Sequence, residues 1–306
     1  MRRLAAAVIA ALSFPAVLAS SGNAGNKSLC TDLAKSYDSI RKDAVAGQRS
    51  ALFFSATAKG CEELVTTLLA DGASLEAKNR LGTMPLAVAA AGGHVDLVEL
   101  FLQRGAPIDA RNVEGSTALF QAILEGRDKV VPVLLGRGAD PNLPGRSGIA
   151  PLAAAAYMGD LRMTELLLKS GSDAKAIDRT GKSAMIYAVG RGFPNVAQVL
   201  LDHGVDVNAR YGNDLTALMW AAGYSTEAGV EDIVETINLL LDHGARIDDQ
   251  DDRGRTAVMI AAELGHVAVV DLLVRRGADT GIRDKAGKTA RDLASNEALR
   301  AKLTAN

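Results

Sequence analysis

Asn112-Val113-Glu114-Gly115-Ser116-Thr117-Ala118-Leu119-Phe120-Gln121-Ala122-Ile123-Leu124-Glu125-Gly126-Arg127-Asp128-Lys129-Val130-Val131-Pro132-Val133-Leu134-Leu135-Gly136-Arg137-Gly138-Ala139-Asp140 contains one complete structural sentence. Asn112 to Gly115 is turn chemistry, with glycine free to take a positive φ. Thr117 is placed to cap the helix that follows. Ala118–Leu124 is compact and apolar, which predicts a short buried helix. Glu125 to Asp128 turns the chain. Val130, Val131, Val133, Leu134 and Leu135 then repeat at helical spacing, and Gly138 predicts the C-terminal end of this second helix. Neither helix can bury its apolar face alone, so the unit needs copies of itself on either side.

The copies are present. The apolar run that closes on glycine recurs at Gly72, Gly105, Gly138, Gly171, Gly204, Gly244 and Gly277, at intervals of 33 residues except for one of 40. A second phrase keeps step with it: Gly82-Thr83-Met84-Pro85-Leu86, Gly115-Ser116-Thr117-Ala118-Leu119, Gly148-Ile149-Ala150-Pro151-Leu152, Gly181-Lys182-Ser183-Ala184-Met185, Gly254-Arg255-Thr256-Ala257-Val258 and Gly287-Lys288-Thr289-Ala290-Arg291. Ala89-Ala90, Ala155-Ala156, Ala221-Ala222 and Ala261-Ala262 hold the helix centres small, so that successive layers approach closely. A fixed period of this size predicts an all-α array whose function comes from an exposed surface rather than an enclosed pocket. The long interval places extra residues around Ser225 to Glu231, between the two helices of the unit that contains Trp220. Trp220 itself aligns with apolar core positions and is expected to be buried.

Three phrases carry a family resemblance: Met84-Pro85-Leu86-Ala87-Val88-Ala89-Ala90, Gly93-His94-Val95-Asp96-Leu97-Val98, and Leu200-Leu201-Asp202-His203-Gly204-Val205-Asp206-Val207-Asn208-Ala209. With Gly265-His266-Val267-Ala268-Val269-Val270 they resemble the ankyrin repeat. The resemblance covers residues 47–304 and implies a solenoid of helix-turn-helix units with β-turn loops, about seven repeats plus a C-terminal cap at Glu297 to Leu303. Residues 20–46 are read as a linker and an N-terminal capping helix, with Leu29, Leu33, Tyr37, Ile40 and Ala44 on one face.

Met1-Arg2-Arg3 followed by the apolar stretch Leu4 to Ala19 predicts a secretory signal over residues 1–19, with cleavage as late as residue 24 as the alternative. The expectation is a periplasmic or secreted protein of a Gram-negative bacterium. Removing Arg2 and Arg3 takes the net charge from −2 to about −4, which points away from nucleic acid and anionic membranes. Export permits a disulfide between the two cysteines, Cys30 and Cys61.

No nucleophile, phosphate-loop or zinc-ligand motif is present, and no cofactor is expected. Asp202-His203 and Asp242-His243 are the sole acid–histidine pairs, and a metal-dependent hydrolase built on them is the alternative enzymatic reading. An effector sent into a host cell is a third. The principal reading is a non-catalytic scaffold, a monomer that binds another protein. In ankyrin arrays the turn tips and the ends of the first helices line a concave face. The resemblance puts Arg80, Arg111, Arg146, Arg179, Arg210, Tyr211 and Arg253 at tips, and Tyr157, Met158, Arg191 and Tyr224 at helix ends. The candidate partner site is therefore Tyr157, Met158, Arg179, Arg191, Arg210, Tyr211 and Tyr224, since tyrosine and arginine anchor interfaces most often.

Overall fold

A computed structural model of the chain describes residues 23–42, 45–223 and 228–303. The signal segment over 1–19, Ala44, Tyr224 and the start of the insertion lie outside the described residues. The chain forms two compact units, one ending at Pro151 and the other beginning at Leu152.

The first unit opens with a helix, Asn23–Ile40, followed by three helical hairpins: Ala46–Lys59 with Glu62–Ala70, Pro85–Gly92 with Val95–Gln103, and Ala118–Leu124 with Val130–Gly136. Within it the first helices of successive hairpins pack on one another, and the second helix Val95–Gln103 packs on Val130–Gly136. The predicted local devices are in place. Thr117 Oγ1 accepts from Phe120 N at 3.2 Å, capping its helix. At the other end, Ala139 N donates to Leu134 O and Gly138 N to Leu135 O, both at 3.0 Å, with Gly138 at φ +89°. This pair of bonds is the Schellman closure that satisfies the last carbonyls of the helix.

The Asn23–Ile40 helix carries the expected Cys30–Cys61 disulfide, but its expected apolar face is only partly buried. Tyr37 is fully buried, Leu33 and Ile40 are half-buried, and Leu29 is 44% exposed. The Cys30–Cys61 disulfide fastens this end, where apolar contact does not, and its Cα atoms lie 5.3 Å apart. Tyr37 Oη donates to Asp71 Oδ2 at 2.7 Å and Arg41 Nη2 to Asp71 Oδ1 at 2.9 Å.

The second unit contains Pro151–Met158 with Leu161–Lys169, Ala184–Val189 with Pro194–Asp202, Ala217–Ala222 with Val230–Asp242, Ala257–Leu264 with Val267–Arg275, and the short closing pair Ala290–Leu293 and Glu297–Lys302. The end of the insertion is helical. Val230–Asp242 has 13 residues where the corresponding helices before and after it have nine. Glu231 and Asp232 sit in its first turn, where carboxylates complement the helix dipole, so the extra chain is drawn into helix.

One turn recurs in both units and sets the geometry of the exposed tips. A side-chain oxygen accepts from the backbone N–H two and four residues later: Asn79 from Leu81 and Thr83, Asn112 from Glu114 and Ser116, Asp178 from Thr180 and Lys182, Asp251 from Arg253 and Arg255, and Asp284 from Ala286 and Lys288. Short polar side chains mimic a backbone turn in this way. Tyr211 occupies the equivalent place in its repeat and lacks such an oxygen. There the chain closes through Tyr211 N to Leu215 O, with Asn213 and Asp214 at φ +63° and +58°. Asparagine and aspartate tolerate this left-handed region better than other side chains.

Candidate interaction site

The residue before each turn decides how many tip arginines are available. Arg111 donates from Nε to Gly115 O at 2.7 Å and from Nη2 to Pro144 O at 2.5 Å. Arg210 donates from Nη1 to Asp214 O at 3.1 Å and to Gln250 O at 2.6 Å, and pairs with Asp249 at 3.1 Å. Gln250 binds Gly254 O and Arg283 O in the same manner. These side chains hold one turn to the next, so the guanidinium of Arg210 is spent on the protein's own carbonyls. Arg179, one place beyond Asp178, is exposed and stands outside this system.

Along the first helices of the second unit, side chains join into a continuous strip. Arg191 lies over the ring of Tyr157 at 4.4 Å. Tyr157 meets Tyr187 edge-on, with ring centroids 5.9 Å apart. Tyr187 Oη donates to Asp178 Oδ2 at 2.5 Å. Asp178 Oδ1 accepts from Thr180 Oγ1 at 2.7 Å, Lys182 Nζ donates to Thr180 Oγ1 at 3.2 Å, and the same ammonium lies 5.5 Å from the centroid of the Trp220 ring. Asp178, Lys182 and Tyr187 are buried; Tyr157, Arg191 and Trp220 are half-buried; Met158 is 44% exposed beside Tyr157. The buried carboxylate thus fixes a set of rings and cations that solvent still reaches.

The sequence candidates divide accordingly. Tyr157, Met158 and Arg191 come together at one end of the strip. Tyr211 is half-buried at a turn, and burial raises its phenol. Arg179 is exposed on the turn that Asp178 organises, Arg210 is committed to structure, and Tyr224 lies outside the described residues. Trp220 departs in part from the expectation of a core residue: Ile260, at the matching position of the next repeat, is 1% exposed, whereas the indole is half-buried under Lys182. Asp178, Lys182 and Tyr187 carry no sequence signal beyond their turn and helix positions.

The histidines are engaged locally. His203 Nδ1 lies 2.7 Å from Val199 O and His243 Nδ1 2.8 Å from Leu239 O, each closing its own helix. His94 and His266 instead reach the preceding hairpin, at Ala58 O and Ala222 O. Among the described residues, no group of three or more His, Cys, Asp or Glu gathers as metal ligands.

The Tyr187–Lys182 pair makes a pH prediction. Burial, reinforced by donation to Asp178, holds the Tyr187 phenol well above its ordinary value. A group whose folded value is raised contributes stability that is complete below its unfolded value, about 10, and lost as pH rises beyond it. Burial lowers the Lys182 ammonium, which acts in the opposite sense: its destabilising charge is relieved as pH rises through its folded value. Urea midpoints measured on either side of pH ~10 should fall more steeply for the wild type than for Tyr187→Phe. Equal slopes would remove the phenol from this account.

The repeats match the family model for ankyrin repeats in three blocks, residues 52–145, 152–236 and 209–284, which together cover most of the chain. The chain belongs to the ankyrin-repeat family. The ankyrin repeat domain of Bcl-3, described as a unique member of the IkappaB protein family, superposes with a TM-score of 0.61 at 27% identity, over 73% of this chain and 99% of that domain. Ankyrin repeat domain-containing protein 63 from Homo sapiens and its Mus musculus counterpart are each 43% identical over 53 residues. Those matches span 17% of this chain and 14% of the relatives' length. What identifies an ankyrin repeat is its turn and helix-packing residues, and the Tyr157–Trp220 strip is not among them.

Proposed function

We propose that this ankyrin-repeat chain is an exported, non-catalytic scaffold that captures a partner protein on the turn tips and first helices of its second unit. The observation that carries the reading is the strip itself: half-exposed aromatic rings and cations held in fixed positions by the buried Asp178 carboxylate. Preorganised aromatic and arginine side chains lose little freedom on binding and supply most of the energy of typical interfaces. Export is supported by the predicted signal segment and by the Cys30–Cys61 bond, since such bonds persist in oxidising compartments. Such a scaffold serves either as an adaptor for another exported protein or as an inhibitor or immunity factor covering an enzyme.

Affinity capture from a periplasmic extract supplies the partner for the test. The double variant Tyr157→Ala, Trp220→Ala is expected to weaken its binding by at least about 2 kcal/mol, roughly thirtyfold. Calorimetric titration against the captured protein measures this, with circular dichroism showing that the helices persist. Added salt should weaken binding as well, because cations frame the rings. Unchanged affinity in a folded double variant would discard the strip.

A further inference from the structure

The second unit contains the same buried-cation site twice, and one copy lacks a carboxylate. In the later repeat Arg255 is 6% exposed and saturated by two acids: Asp251 Oδ2 receives Nε at 3.0 Å and Nη2 at 2.8 Å, and Glu263 Oε2 receives Nη1 at 3.0 Å. In the earlier repeat Asp178, Lys182 and Gly190 occupy the positions of Asp251, Arg255 and Glu263. Here Asp178 Oδ2 is taken by the Tyr187 hydroxyl, where the later repeat has Ile260. Lys182, 8% exposed, makes no ion pair with any described residue; its ammonium meets Thr180 Oγ1 and the Trp220 ring. Gly190 supplies no second acid: among the described residues, a Cβ there would meet Ile186 O at 3.1 Å and no other heavy atom of those compared within 4 Å. The indole N–H of Trp220, shielded from solvent, likewise has no acceptor among the described residues. The one described carboxylate near this buried ammonium, Asp178, reaches it only through the Thr180 hydroxyl and is itself taken by other donors, a costly arrangement that a second acid would relieve.

We infer that the space over Gly190, between Lys182 and the Tyr157, Tyr187 and Trp220 rings, receives the side-chain carboxylate of an aspartate or glutamate in an extended segment of the partner protein. This assignment rests on the second unit's being the partner-binding face. The acid would occupy the place that Glu263 fills for Arg255, with its neighbouring residues lying against the half-exposed rings. Charge complementarity of this kind selects partners and fixes their register.

The chain can be made to supply the missing acid itself. Gly190 has an ordinary helical φ of −70°, so a side chain there is tolerated. Gly190→Glu should raise the Lys182 ammonium titration, followed by lysine side-chain NMR, and Gly190→Gln should not. An unmoved titration in Gly190→Glu would show that a carboxylate cannot reach the ammonium and would overturn the inference. In the intermolecular arm, displayed random dodecapeptides are selected on the full chain. Enriched peptides should contain an acid whose replacement by its amide lowers affinity by at least about tenfold. Gly190→Glu and Lys182→Met should each produce a comparable loss, and Trp220, the sole tryptophan, reports binding by fluorescence. Peptides that depend on Tyr157 and Trp220 but on no acid would leave the binding face intact and overturn the carboxylate assignment. Absence of any peptide that depends on those rings would remove the binding face as well. Saturation of the fluorescence change by micromolar succinate would assign the site to a small dicarboxylate and overturn the peptide.

Discussion

Replacing Asp178 by alanine is expected to destabilise the second unit by about 3–5 kcal/mol, the range for leaving one member of a buried charged network unpaired. The carboxylate accepts from Thr180 N at 2.7 Å, Lys182 N at 3.1 Å, Thr180 Oγ1 at 2.7 Å and Tyr187 Oη at 2.5 Å. Removal leaves the N–H groups of Thr180 and Lys182 and the buried Tyr187 phenol without their acceptor, and takes from the buried Lys182 ammonium its nearest compensating charge. Asp178→Asn should cost less, because its oxygen still closes the turn. Urea unfolding followed through Trp220 reads both variants. A change below about 1 kcal/mol in Asp178→Ala would mean that solvent reaches these donors, and the strip would then lack its rigid base.

Cys30→Ser is the second large effect. Opening the loop from Cys30 to Cys61 should cost about 3–4 kcal/mol in the chain-entropy model. The loss should be local. Tyr37 is a fully buried anchor of the Asn23–Ile40 helix, and its hydroxyl and the guanidinium of Arg41, just past the helix end, both bind Asp71. Hydrogen exchange is expected to accelerate across this helix in Cys30→Ser while amides of the second unit keep their protection. Arg41, and after it Tyr37, hold the Asp71 carboxyl below its ordinary value. A lowered carboxyl contributes stability above its unfolded value that is lost as pH falls through the folded one. The variant should therefore release its N-terminal helix at a higher pH than the wild type on acid titration. Unaltered exchange over this helix would show that side-chain contacts alone hold it.

Much of the fold was legible because its devices are local. The Asx-turn oxygens of Asn79, Asn112, Asp178, Asp251 and Asp284 act on N–H groups two and four residues away, and Thr117 acts three residues away. Spacing in the chain therefore reports them directly. The candidate site was less legible because its contacts cross from one repeat to the next. Nothing near Arg210 in sequence announces that Gln250 O takes its guanidinium, and nothing near Arg111 announces Pro144 O. Arg179 and Arg210 look alike as tip residues and both are exposed, yet Arg210 is a staple between turns. Trp220 reads as core from its alignment with apolar positions; that Lys182 of the preceding repeat lies over its ring is a contact between repeats that spacing does not report. The long interval locates the insertion but not its helical part, which depends on the carboxylates of Glu231 and Asp232 in the first turn of Val230–Asp242.

The central claim, that the second unit grips its partner through this strip, is tested most directly by site-specific photo-crosslinking in the producing cell. A benzophenone side chain replaces Met158, at the exposed end of the strip, or Glu235, exposed on the second-helix side of its repeat. The account predicts a covalent adduct with another protein from position 158, lost when Trp220→Ala is added, and none from position 235. An adduct from 235 with none from 158 would contradict it.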